Sequence, residues 1–416
     1  MKKQAPFSQA RNVFRWTIFL AVSVVVVSNA AARFLQTSHP KLAQVINPLN
    51  STARVNLLSA ELSKSTLLPG ELKALNREVK TLVRLSPRDA RGYSLLAETA
   101  RRSGKEREAK LHYLTALVVA PTEINALLNR LRSSAAEGEL AETVARLDVI
   151  LRRWPRYFDN VKPALLALAA KPQGNILLRR KLAERPAWRW PALLYLMKSE
   201  EGAQLAKRLL ADERAGGQEV NVEEVAQTIK HLIEQKTYFE AYRLFLLTLN
   251  DEERERLSYV FNADFRLKPD RRLFNWQFKR QVDADVSLPY RPADDSGGGL
   301  SVRFLGTPAK LGNVYQMLSL PKGLYRFSAS VSGRNLKLPK GMFWEIYCST
   351  SGQKLGTAPF EPGSYRNQPI SESFAVPEKG CPLQTLRLRT GMQNTSWSAR
   401  YHGTAIVHEV SVVKQI

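Results

Sequence analysis

The two cysteines, Cys348 and Cys381, and the five histidines are the residues of this chain best suited to covalent or metal chemistry, and none falls into a pattern that performs it. No phosphate loop, Cys/His zinc spacing, H-E-x-x-H or G-x-S-x-G occurs. The paired acids Asp294-Asp295 stand beside Ser296 and three glycines, a flexible stretch that holds a general acid and base poorly. A glycosidase built from separated carboxylates is the enzymatic alternative, but the expectation is a protein without catalytic activity. His112 and His231 read as structural or solvated helix residues, and no cofactor is implied. A structural calcium would draw on Asp264, Asp283 or Asp285; the simpler reading is solvated turn carboxylates. The cysteines are either two separate buried thiols or, in an oxidising compartment, a disulfide. Its loop would contribute roughly 3.5 kcal/mol.

The elements that position these residues begin with an apolar leader. Lys2, Lys3, Arg11 and Arg15 precede the uncharged run Trp16 to Ala32, and Arg33 closes it. Such a run rises about 25 Å as a helix, at the short end of what spans a bilayer. The positive flank keeps the N-terminus inside and exports the body. Residues 16–33 are therefore an uncleaved anchor behind a basic segment, 1–15, or a signal peptide cut near Ala30-Ala31-Ala32. Either way the body lies outside the cytoplasm, in the periplasm, with the inner membrane as a partner through the anchor. Export excludes nucleic acid, although the net charge of +24 would otherwise suit it. It leaves membrane surface, cell-wall material and acidic glycans.

Two punctuation marks then recur in phase. Gly70, Gly104 and Gly138 are spaced by 34, as are Pro87, Pro121 and Pro155. Between Ala90 and Pro121, Tyr93, Leu96, Ala97 and Ala100 form one helical face, Gly104 a left-handed stop, and Ala109, Tyr113, Ala116 and Leu117 a second face that Pro121 ends. Tyr93, Leu96, Ala97, Gly104, Ala109, Tyr113, Ala116 and Pro121 fall in order at the signature positions of a tetratricopeptide repeat, which this segment resembles. The flanking units have Leu75 and Thr143 where the small residue belongs. Beyond Pro155, Pro163, Pro172, Pro186 and Pro191 cut the chain into short helices, and Trp188 and Trp190 read as packing residues. Val222 to Glu234 and the stretch from Tyr238 to Leu249 read as one further pair. The resemblance covers 45–258 and implies an α-solenoid whose groove binds an envelope protein.

From 262 to 416 the texture becomes short alternating runs: Phe274 to Lys279, Leu300 to Gly306, Val314 to Leu320, Gly323 to Ser332, Met342 to Ser349, Glu372 to Val376, Leu383 to Thr390 and Ala405 to Lys414. These read as an antiparallel sandwich, so the fold class is α+β and multidomain. Met342, Trp344, Ile346 and Cys348 are read as core-facing, with Phe343, Glu345 and Tyr347 opposite; Ile406, His408, Val410 and Val412 share a side of the last run. Asn262-Ala263-Asp264-Phe265 before Trp276, and Tyr315-Gln316 through Leu318, Leu320, Gly323 and Tyr325, resemble the jelly roll of carbohydrate-binding modules, a galactose-binding-like β-sandwich. That resemblance implies glycan contact by stacking on exposed aromatics. The candidates off the core face are Tyr290, Tyr347, Tyr365, Trp397 and Tyr401, with Trp397 and Tyr401 favoured, and Arg366 and Arg400 placed to neutralise an acidic sugar.

Residues from Arg271 onward carry 19 basic and 9 acidic side chains, a net +10. The combination is similar to bacterial envelope proteins that join tetratricopeptide repeats to exopolysaccharide assembly or export. The leading expectation is a membrane-anchored scaffold binding a protein through its repeats and a polysaccharide through its sandwich. The alternatives are an adaptor that binds only protein, with the sandwich as a structural cap, and a carbohydrate-active enzyme.

Overall fold

The computed structural model describes residues 6–278, 283–290, 299–392 and 399–415, with side chains from Trp16 onward. Contacts divide the chain at Ala164 into two compact units, 1–164 and 165–416.

In the first unit, α1 (Pro6–Leu35) is followed by α2 (Pro40–Ile46), α3 (Ser51–Leu62), α4 (Pro69–Leu85), α5 (Ala90–Arg102), α6 (Glu106–Val119), α7 (Ile124–Glu137) and α8 (Leu140–Arg153), and α9 (Phe158–Ala169) crosses into the second. Over Trp16–Leu35, α1 is long and apolar enough to cross a membrane, with mean hydropathy 2.0. The expected punctuation is seen directly. Ser86, Ala120 and Trp154 have φ of −137°, −143° and −131°, outside the helical region as residues before proline must be. Gly104 and Gly138 adopt φ of 74° and 77°, the left-handed turn between paired helices. Ala97, Ala109 and Ala116 are buried and let α5 and α6 approach closely. Asn50, Asp89 and Glu123 cap α3, α5 and α7 through their side chains. The Ser94 hydroxyl donates to Glu123 at 2.5 Å, tying α5 to the start of α7. Gly70 departs from its expected role. It lies in the first turn of α4, after Pro69, without a positive φ, so the period is kept there while the turn is made by residues 63–68.

The second unit contains α10 (Pro172–Ala183), α11 (Arg189–Leu196), α12 (Glu200–Ala215), α13 (Val222–Glu234), α14 (Tyr238–Thr248) and α15 (Asp251–Glu255). Arg189 is buried and clamped between buried Glu213 on α12, at 2.5 Å, and Glu224 on α13, at 2.6 Å, which joins three helices. Trp188 is buried beside it, as expected of a packing residue. The expected border near 258–262 lies inside this unit. Phe245 and Leu244 of α14 share a core with Phe261, Phe274 and Leu383, and buried Arg272 pairs with Glu253 of α15 and with Asp270. Helix α14 and the start of the sandwich thus share one packed core.

Among the described residues nine strands form a jelly-roll-like sandwich: β1 (Ala284–Tyr290), β2 (Gly299–Leu305), β3 (Val314–Leu318), β4 (Gly323–Lys337), β5 (Met342–Cys348), β6 (Lys354–Pro359), β7 (Gly363–Val376), β8 (Gln384–Thr390) and β9 (His402–Lys414). All pairings are antiparallel, in sheets ordered β1-β2-β9-β4-β7 and β3-β8-β5-β6. Between the sheets, Trp276, Trp344, Phe327 and Tyr325 are fully buried. Trp276 donates its indole N–H to the Asn262 carbonyl, and the buried Gln316 amide bonds both the N–H and the C=O of Phe261. Those bonds explain the motif residues physically.

Several expected runs differ. Phe274 to Lys279 makes only a bridge, Gln277 to Tyr315, over its described residues. β1 and β6 escaped notice, being edge strands with few β-branched residues. β7 begins well before Glu372, since an edge strand tolerates Pro369 and many polar residues. In β9 a register shift between Val407 and Glu409 breaks the alternation. Val407, Val410 and Val412 join the sandwich core, while His408 bonds the Ser332 hydroxyl at 2.8 Å. Cys348 and Cys381 form a disulfide that ties the end of β5 to the loop before β8.

Arg189→Ala leaves two carboxylates buried without their cation, so urea unfolding of the second unit should show a loss of about 3–5 kcal/mol; an unchanged midpoint contradicts the clamp. Reduction of the disulfide should lower stability by about 3.5 kcal/mol, read as a shift of the same transition with and without reductant; coincident curves contradict it.

Candidate functional site

Alternation in β5 places Met342, Trp344, Ile346 and Cys348 inward and Phe343, Glu345 and Tyr347 outward. The neighbouring β8 reads QTLRLRT, which buries Leu386 and Leu388 and turns Arg387 and Arg389 outward. Register then brings the outward sets together. Glu345 stands opposite Arg387, and Phe343 opposite Arg389; beyond β8, Tyr315 of β3 faces Arg387, and beyond β5, Thr357 of β6 faces Glu345.

The resulting face is layered. Arg387 donates to Glu345 at 2.7 Å and Arg389 at 3.2 Å. The same guanidiniums lie over rings, Arg387 over Tyr347 at 4.7 Å and Arg389 over Phe343 at 5.6 Å. Burial pushes the Glu345 carboxyl up, but the hydrogen bonds and charge of Arg387 and Arg389 outweigh it and hold the group below the ordinary glutamate range. Burial, and then the neighbouring Tyr347 phenol, raises Tyr315. Arg387 Nε and Thr357 Oγ1 are buried without a hydrogen-bond partner, so the row through Glu345 has unused polar capacity. This arrangement suits binding. It offers part-exposed ring surface, forked donors and one carboxylate that stays ionised at neutral pH.

The other sequence candidates do not gather into one site. Tyr401 is fully buried, packs against Phe304 at 5.2 Å and donates to the Gly341 carbonyl, so its ring is not a platform; its place in a polar segment had suggested exposure. Trp397, Asn394 and the Asp294-Asp295 pair lie outside the described residues, as does the Tyr290 side chain. Tyr365 is half-buried on edge strand β7, and burial and then Glu361 push its phenol up to about 12. Arg366 and Arg400 are exposed. Among the described side chains, Tyr347 alone of the aromatic candidates belongs to the layered face. Its partners Phe343, Tyr315, Arg387 and Arg389 were missed, because alternation gives each strand's outward residues and only register unites them. The carboxylates considered for calcium are engaged by protein donors: Asp264 by Arg256, Asp283 by the Lys310 N–H at 2.8 Å, and Asp285 by Arg303 at 2.9 Å.

The first unit carries a second surface. Two adjoining hollows of about 340 and 470 Å³ on α5, α6 and α7 share Arg101, Tyr113, Asn129 and Arg132. Burial raises Glu98, yet bonds from Arg101 and Arg102 outweigh it and keep the carboxyl low. Tyr113 bonds Glu98 at 3.3 Å and is pushed up to about 12 by burial and that carboxylate. Arg132, exposed and in none of the ion pairs found among the described residues, leaves the groove with surplus positive charge.

No family model matches the chain, and no curated protein matches it. Solved structures similar to it include a carbohydrate-binding module of the CBM4 type, 13% identical over 38% of this chain and 99% of that one, with a TM-score of 0.29. Another is the module CBM6cm-2 from Cellvibrio mixtus lichenase 5A in complex with cellotriose, 14% identical over 34% of this chain and 93% of that one, with a TM-score of 0.22.

The depressed Glu345 carboxyl gives a pH signature. Unfolded glutamate titrates near about 4.3, so the ionised group stabilises the fold fully above that pH, and the contribution disappears as pH falls through the lower folded value. Stability measured down this range should fall more steeply in the unaltered protein than in Glu345→Gln; equal slopes contradict the pairing.

Proposed function

We propose that the protein is a non-catalytic scaffold, anchored in the inner membrane with its body in the periplasm, that binds a polysaccharide on the outer face of the β3-β8-β5-β6 sheet and a protein partner in the groove of its tetratricopeptide-like repeats. The observation that carries the polysaccharide reading is the layered face itself. Phe343 and Tyr347 supply rings for stacking, and Arg387 and Arg389 supply forked donors that a uronic-acid carboxylate would share with Glu345. The net +10 from Arg271 onward favours an acidic polymer. Exopolysaccharide assembly or export is the process that best joins such a face to an anchored repeat protein.

Retention of the leader is supported by packing. Ala32, at the end of the Ala30-Ala31-Ala32 stretch, is helical and buried against Ala43 and Ala53, so cleavage there would remove part of the folded body. A second reading, an adaptor for protein alone, is favoured by the groove, where Asn129, Arg132 and Arg101 offer polar donors to an acidic peptide.

Affinity gel electrophoresis of the full chain in acidic and neutral polysaccharides tests the first reading. Retardation is expected with an acidic polymer, weakened from a few-fold to about tenfold by Tyr347→Ala, the scale of about 0.5–1.5 kcal/mol per ring contact. No retardation by any polysaccharide, with the fold intact, contradicts it. Membrane crosslinking to a protein that survives Tyr347→Ala but is lost in Asn129→Ala with Arg132→Ala favours the adaptor.

A further inference from the structure

The short helix α2 turns back along the end of α1. The Asn47 side chain donates to Asn29 Oδ1 at 2.7 Å, and Asn29 lies six residues before Leu35, about 9 Å down the axis of α1. Buried Ala43 on α2 contacts the same end of α1 through Ala32 and Leu35. The chain therefore leaves α1 at Leu35 and brings residues 45–49 to the depth of Asn29, inside the apolar helix span.

On the α2 side of the turn the surface is apolar and uncovered, while on the α3 side Thr52 accepts from Arg91, which is paired with Asp89. Leu49 is 75% exposed and Val45 79%, with Leu42 and Ile46 also exposed. Val24 to Val27 of α1, just before Asn29, are exposed as well. A cluster of large apolar side chains on an eight-residue stretch marks a contact surface. The backbone of the turn has an independent property. The Asn47 N–H donates to Ala43, Pro48 has none, the Leu49 N–H donates to Asn47 Oδ1 at 2.9 Å, and the Asn50 N–H donates to the Asn47 carbonyl. Every N–H of the turn is satisfied inside the protein, which is what a segment without access to water requires. The Asn29–Asn47 bond pairs the polar side chains at that level. Exposed Arg33 and Lys41 flank the top of the hairpin, where their charges meet phosphate.

We infer that α2 and the turn at residues 47–50 are a membrane-inserted wedge, the partner being the acyl region of the periplasmic leaflet around α1. The inference rests on α1 spanning the bilayer. With Trp16 at one interface, the 20 residues to Leu35 span about 30 Å, the thickness of the hydrocarbon core. The wedge then shields the last turns of α1, and α3, the first repeat helix, climbs from the turn toward the membrane surface.

The test uses the full chain in phosphatidylcholine–phosphatidylglycerol nanodiscs. Both native cysteines are in the disulfide, so an environment-sensitive thiol probe labels only an introduced cysteine. Val25→Cys, Val45→Cys, Leu49→Cys and Lys80→Cys are compared for emission and for quenching by acyl-brominated lipid. Blue-shifted emission and loss of fluorescence are expected at 25, 45 and 49, and neither at 80. Quenching at 25 without quenching at 45 and 49 overturns the wedge and leaves the span standing. A blue shift at 45 and 49 without quenching means that protein covers them, and also overturns it. No quenching at 25 removes the span, and the wedge with it.

Discussion

A guanidinium held between two carboxylates is the interaction on which the second unit depends. Arg189 joins α11 to α12 and α13 through Glu213 and Glu224. Arg272 joins the start of the sandwich to α15 through Glu253 and Asp270, with Phe245 of α14 against its plane at 5.4 Å. Removing such groups from water is costly, and only near-complete pairing offsets the desolvation. Each clamp therefore fixes the elements that supply its oxygens. This is why the repeat-like helices near 222–248 and the β domain share a core.

The candidate polysaccharide face inverts that arrangement. There one carboxylate, Glu345, is held by two guanidiniums, and each guanidinium lies on an aromatic ring. Glu345 is buried there, but both guanidiniums keep about a quarter of their surface exposed, so their outer donors can meet a second anion. The buried clamps fix geometry; the part-exposed one leaves two forked donors within reach of a ligand. The helical groove has related chemistry, with Glu98 held by Arg101 and Arg102 while Arg132 stays exposed. A chain with net +24 can commit arginines to Glu213, Glu224 and Glu345 and retain cationic surface.

Much of the fold was legible in the sequence because its punctuation is chemical. Pro121 and Pro155 forbid helix before them, and Gly104 and Gly138 take a left-handed turn that other residues resist. Gly70 shows the limit, since spacing alone does not reveal whether a glycine turns the chain. The sandwich motifs at Asn262, Trp276 and Gln316 were legible for a similar reason, each having a specific buried hydrogen bond. What stayed hidden depends on register and long-range pairing. The bulge in β9 decides the side His408 takes, and Tyr401 packs inward on Phe304 although its neighbours in sequence are polar. The layered face needed the pairing of β5 with β8, and no single run of residues contains it.

The most direct test of the central claim is hydroxyl-radical footprinting of the full chain with and without an acidic polysaccharide. Protection of Phe343, Tyr347 and Tyr315, with Tyr365 unchanged, is the result the layered face predicts. Unchanged oxidation at those three rings in the presence of a bound polymer, or protection centred on Tyr365 and Arg366, would place the ligand elsewhere and contradict it.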